Sequence, residues 1–131
     1  MNEAQTYAQF KRPSWAPPSW LFGPVWSVLY VIIVATFGYT GWLYLQGTLP
    51  FVVLVPFILN VIFNLAFTPI QFGLKNNLLA AADIVLVLGT LLWALAAIYS
   101  YAPLVSYANV PYLVWVAFAT VLQLTITKLN W

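Results

Sequence analysis

Four long apolar runs, at residues 19–45, 50–71, 78–100 and about 104–127, constrain this chain more than any other feature. One charge, Asp83, lies inside them. A helix needs about 20 mostly apolar residues to cross roughly 30 Å of hydrocarbon, and each run meets that length. Composition closes the alternative: with 64% hydrophobic and 5% charged residues in 131, a soluble fold could not hide its apolar surface. A membrane β-barrel would show alternating segments of about ten residues rather than continuous runs. The expectation is an all-α integral membrane protein, one membrane domain over residues 1–131, built as a bundle of four transmembrane helices.

Short loops separate the runs, and residues 1–18 form a polar arm and proline-rich segment ahead of the first. That segment lacks the order of a cleaved signal sequence, so the mature chain is expected to start at Met1. Lys and Arg mark the cytoplasmic side of short loops. Lys11 and Arg12 precede the first run, Lys75 joins the second to the third, and Lys128 follows the fourth. An even number of crossings places all of them on one face, so both termini are expected in the cytoplasm. The net charge of +2, with no basic run, argues against nucleic acid as a partner.

The inventory narrows the chemistry. There is no His and no Cys, which removes Ser-His-Asp and Cys-His nucleophilic sites, disulfides and zinc sites of the N/S kind. No metal site is expected. Haem iron is held by His, Cys, Met or Tyr, of which only Tyr and Met1 are present. A macrocycle held by stacking and apolar contact remains open, and no covalent cofactor is expected.

Within the runs, Pro24 falls in the first turns of its helix, where a missing N–H costs little, so the regular helix is expected to begin nearer Gly23. Pro69 is placed to kink or end the second. Most aromatic residues suit the interfacial belts, with Trp15, Trp20 and Trp131 at one face and Tyr39, Trp42, Tyr44, Tyr99, Tyr101 and Tyr107 at the other. Trp26 and Trp115 lie too deep for a belt. Asn60, Asn64, Phe67 and Gln71 share one helical face, Trp26, Tyr30 and Phe37 form a second stripe, and Tyr112, Trp115 and Ala119 a third. Counted from the cytoplasmic ends, Trp26, Asn64, Asp83 and Gln123 fall at one level. Two readings of this constellation stand together: interhelical hydrogen bonding, and an aromatic pocket with a few directed polar groups. Asp83 leans to structure, with Lys75, Asn76 or a helix N-terminus as its partner.

The segment Arg12-Pro-Ser-Trp-Ala-Pro-Pro-Ser-Trp20, followed by Phe22-Gly-Pro-Val-Trp26 and Leu29-Tyr30, is specific. With it go Asn64, Pro69, Phe72-Gly73, Asp83, Pro111-Tyr-Leu-Val-Trp115, Phe118-Ala119 and Leu129-Asn130. On these residues the chain resembles the TspO/MBR family of tryptophan-rich sensory, translocator protein-like membrane proteins, from about Tyr7 to Asn130. The resemblance implies a small helical membrane protein, commonly a homodimer, that binds protoporphyrin, haem-like tetrapyrroles and similar hydrophobic ligands below the proline-rich loop. It assigns pocket positions to Trp26, Asn64, Trp115 and Ala119. Tyr30, Phe67 and Leu122 join them as lining, with Trp15, Pro17 and Pro18 as a lid and Asp83, Gln123 and Asn60 as intramembrane polar groups.

Three features depart from the family pattern. The family ordinarily has a helix ahead of the Trp-Ala-Pro-Pro loop, where this sequence has about a dozen polar residues; the start is too late, or a four-helix form leaves one wall to a partner subunit or lipid. Leu124 stands where porphyrin-degrading members carry tryptophan, which disfavours that enzyme activity. Gln123 stands where asparagine is usual. The leading expectation is therefore a receptor or transport-type protein for porphyrin-like ligands. A small proton-coupled multidrug exporter using Asp83 and a scaffold without ligand are the alternatives.

Overall fold

The computed structural model describes residues 13–74 and 76–130, and only the backbone of Ser19, Gln71 and Phe72. Lys11, Arg12, Lys75 and Trp131, and the side chain of Gln71, lie outside the described residues. The elements are a 3-10 turn at Ser19–Leu21, α1 (Phe22–Leu45), α2 (Phe51–Thr68), a π-turn at Pro69–Gly73, α3 (Asn77–Tyr99), α4 (Pro103–Ala108) and α5 (Val110–Leu129). Helices α1, α2, α3 and α5 are each long and apolar enough to cross a membrane. The protein is an integral multi-pass membrane protein, and side chains such as Val31, Val34, Leu92 and Leu104 turn outward and are exposed, as lipid-facing ones are.

Each boundary has a local cause. α1 begins at Phe22 with Pro24 in its first turn, where the N–H is unsatisfied anyway. It ends at Gly47, whose φ of 75° is the left-handed conformation glycine adopts without strain. Gly47 N–H then donates to Tyr44 O at 3.0 Å and Thr48 N–H to Leu43 O at 3.0 Å, the paired bonds of a Schellman stop. Pro69 ends α2 as regular helix, and the chain widens into the π-turn, with Leu74 N–H donating to Pro69 O at 2.9 Å. Asn76 caps α3, its Oδ1 accepting from Leu79 N–H at 2.9 Å.

The fourth run is a correction. Residues 104–127 were expected as one helix, but the chain divides at Asn109 into α4 and α5. Pro111 has no N–H for the carbonyl four residues back. Asn109 sits at φ −94° and ψ 7°, and its Nδ2 donates to Val105 O at 2.8 Å and to Thr36 Oγ1 at 2.9 Å. Val105 O, which receives only a long 3.3 Å bond from Asn109 N–H, is thus shared with the side-chain amide, and the same amide pins the break to α1. α5 alone, at 20 residues, spans about 30 Å.

Packing is uneven. α2 and α3 run closest together, and α3 also lies close along α5, where Ala80, Ala81 and Ala94 let backbones approach. α1 stands further off and meets its neighbours through large side chains. Leu29 and Ile33 of α1 join Ile84, Val87, Leu91 and Leu95 of α3 and Tyr112 and Val116 of α5 in the main core cluster. Phe37 crosses to Phe57 edge-on at 4.8 Å. At the end of the bundle away from the proline-rich loop, Tyr39 stacks on Trp42 and Tyr99 shares a hydrogen bond with Tyr107 at 3.2 Å. All four rings are exposed, as side chains at an interfacial belt are.

Candidate functional site

The separation between α1 and α5 is bridged by rings. Trp26 lies 5.5 Å from Tyr30, one turn on, and meets Tyr112 edge-on at 6.4 Å. Phe22 meets Trp115 edge-on at 5.9 Å, and Trp115 is 5.6 Å from Phe118. The proline-rich segment closes this wall. Ala16 N–H donates to Pro13 O at 3.0 Å and Leu21 N–H to Pro18 O at 3.1 Å, so the prolines fold the chain back in two turns. Ala16 then packs with Phe22 and Phe118 against Leu122 and Ile126, while Trp15 presents its ring to Phe118 at 5.9 Å. Pro17 is half-buried and Pro18 exposed.

Of the lining residues expected from sequence, Trp26, Phe67, Trp115 and Ala119 all pack against the main core cluster, and Leu122 belongs to the cluster under the loop. Two positions behave differently. Tyr30 is 40% exposed, so its ring is at the edge rather than inside. Asn64 is buried but engaged: its Oδ1 accepts from Tyr30 OH at 3.2 Å and its Nδ2 donates to Tyr112 OH at 2.6 Å. Tyr112 OH donates in turn to Asn60 Oδ1 at 2.8 Å, and Asn60 Nδ2 reaches Val87 O at 2.9 Å and Thr90 Oγ1 at 3.2 Å. Tyr30, Asn64, Tyr112, Asn60 and Thr90 therefore form one chain of bonds through all four long helices. Each bond satisfies a polar group that lipid cannot.

The expected common level of the polar groups needs correction at Gln123. Its Nε2 reaches Thr127 Oγ1 at 3.1 Å and Asn77 Oδ1 at 3.4 Å, and Thr127 Oγ1 donates to Asn77 O at 3.0 Å. This ties the end of α5 to the first residue of α3. Asn64 instead bonds to Tyr112, eleven residues or about 16 Å earlier on α5. Counting from helix ends assumes flush ends, whereas α5 runs past the start of α1 and the proline-rich loop packs along its last turns.

Among the described residues, three buried side-chain polar atoms have no hydrogen-bond partner: Asp83 Oδ2, Asn109 Oδ1 and Trp115 Nε1. Asp83 is 5% exposed. Asn76, one of its expected partners, caps α3 through its side-chain oxygen and makes no bond to Asp83 Oδ2, and Lys75 lies outside the described residues. Leu124 is 47% exposed and shares an outward stripe with Ala117, Val121 and Lys128. Among the described residues, no three His, Cys, Asp or Glu side chains come together to hold a metal ion.

Sequence reading missed Phe22 and Phe118 as parts of the wall and Tyr112 as the hub of the polar chain. Phe118 was findable, because Trp115, Phe118 and Leu122 follow i, i+3, i+7 spacing. The hydroxyl of Tyr112 carried no such signal, since an aromatic stripe does not tell which ring meets an amide.

The TspO/MBR family model matches residues 1–129. The tryptophan-rich protein TspO of Chlorobaculum tepidum is 35% identical over 127 residues, covering 95% of this chain and 78% of that protein. The human translocator protein is 35% identical over 129 residues, covering 95% of this chain and 74% of that protein. The protein CrtK of Rhodobacter capsulatus is 33% identical over 129 residues, with 95% and 78% covered.

Proposed function

The chain belongs to the TspO/MBR family, and from that premise we propose that it binds flat hydrophobic tetrapyrroles of the porphyrin class, protoporphyrin or haem, in the aromatic wall beneath its proline-rich loop. Membership supports a membrane receptor- or transporter-like role. The observation that carries the ligand is the convergence of Trp15, Phe22, Trp26, Trp115 and Phe118 from the loop, α1 and α5. Indole and phenyl faces offer large, rigid, apolar area to a macrocycle, and α1 holds its neighbours by side chains rather than by close backbone contact. Parting that side-chain seam disturbs none of the closest backbone contacts, which lie between α2 and α3 and between α3 and α5. Binding is favoured over breakdown because Leu124 carries no indole and lies on the outward stripe. A homodimer with both termini in the cytoplasm completes the proposal.

A proton-coupled exporter would rest on Asp83, whose Oδ2 is buried without a partner. That residue lies six positions into a 23-residue helix, about 9 Å from its start. It stands about five residues, roughly 8 Å, short of the helix's middle, off the midplane level at which coupling sites lie.

Titration of the purified protein with protoporphyrin in detergent, followed by tryptophan fluorescence, tests the proposal. Saturable quenching is expected in the parent, with Trp26→Phe losing amplitude and affinity. Quenching that rises linearly without saturation in the parent would remove it.

A further inference from the structure

The polar groups of the candidate site are not equally available. Asn64 has its oxygen and its nitrogen engaged by Tyr30 and Tyr112, and Asn60 is engaged by Tyr112, Val87 and Thr90. Tyr112 both donates and accepts. A ligand reaching any of these atoms meets one that already holds a partner. Trp115 differs: among the described residues its Nε1 is the one buried side-chain donor without an acceptor. Its ring lies between those of Phe22 and Phe118, neither of which offers an oxygen. A buried N–H with nothing to donate to is costly, more so than the bond it would gain is favourable.

We propose that the Trp115 indole N–H is the specificity-determining contact of the site, selecting flat macrocycles that carry a peripheral carbonyl or carboxylate oxygen over equally apolar ones that carry none. This rests on the porphyrin reading above and refines it, placing the directed polar contact at the α5 indole rather than at Asn64. The ligand oxygen accepts the N–H bond that the protein leaves unmade. A carboxylate strengthens it by charge. The hydrocarbon body of the macrocycle meets Trp26, Phe22 and Phe118.

The test compares two porphyrins of similar ring area: protoporphyrin IX, which has peripheral carboxylates, and etioporphyrin, whose periphery is alkyl only. In the parent, protoporphyrin IX is expected to bind about tenfold more tightly, the worth of one directed hydrogen bond. Trp115→Phe should weaken protoporphyrin IX binding about tenfold more than etioporphyrin binding, since both lose the same indole area and only one loses a hydrogen bond. Where Trp115→Phe does not fold, benzothienylalanine at the same position keeps the ring and replaces N–H by sulfur, and the same loss of preference is expected. Equal affinity for both porphyrins in the parent, or a preference that survives either replacement, overturns this inference and leaves the porphyrin reading standing. Failure of both porphyrins to saturate the parent overturns the two together.

Discussion

Tyr112→Phe is expected to lower the unfolding free energy of the bundle by about 2 kcal/mol, read as a shift of the SDS-unfolding midpoint by far-ultraviolet circular dichroism. The hydroxyl removed is fully buried and serves two amides at once, donating to Asn60 Oδ1 at 2.8 Å and accepting from Asn64 Nδ2 at 2.6 Å. Interhelical hydrogen bonds in membranes average about 0.6 kcal/mol and reach about 1.7. Two lost together, with Asn60 Oδ1 and Asn64 Nδ2 deprived of this partner, place this change near the upper part of the range. Tyr30→Phe is the internal control. Its hydroxyl bonds Asn64 at 3.2 Å from a partly exposed position, and a loss within about 0.6 kcal/mol is expected. Equal effects at the two tyrosines would mean that the polar chain has no hub.

Leu91→Ala should cost more, about 3 kcal/mol in the same assay. Leu91 is wholly buried on α3 and belongs to the cluster that joins α1, α3 and α5. Truncation there leaves a void between backbones already close, with little freedom to collapse. Leu92, the next residue, is 51% exposed, and Leu92→Ala is expected to stay within about 0.5 kcal/mol. The pair tests the rotation of α3 about its axis. A reversed order of effects would show that the helix turns the other face to the core.

These two residues show where sequence reading reaches and where it stops. The four spans were legible because lipid imposes a length and forbids charge, and both constraints are one-dimensional. The family was legible because its motifs are ordered along the chain. The break at Asn109 was not, because an apolar run continues through it and the cause is an amide that finds Thr36 on another helix. The level of Gln123 was misjudged for a related reason: residue counts measure height along one helix but not the stagger between helices. Asn64 was identified as polar and inward, yet whether its amide was free or spent depended on the hydroxyls of Tyr30 and Tyr112. Side-chain partnership across helices is three-dimensional information, and a helical stripe carries only its direction.

A crystal structure grown from lipidic mesophase with protoporphyrin IX would locate the ligand. The macrocycle is expected between α1 and α5 under the proline-rich loop, within van der Waals contact of Trp26 and with an oxygen at hydrogen-bond distance from Trp115 Nε1. A porphyrin found only on the outer, lipid-facing surface, with the rings of Phe22, Trp26 and Trp115 still closed on one another, would contradict this placement.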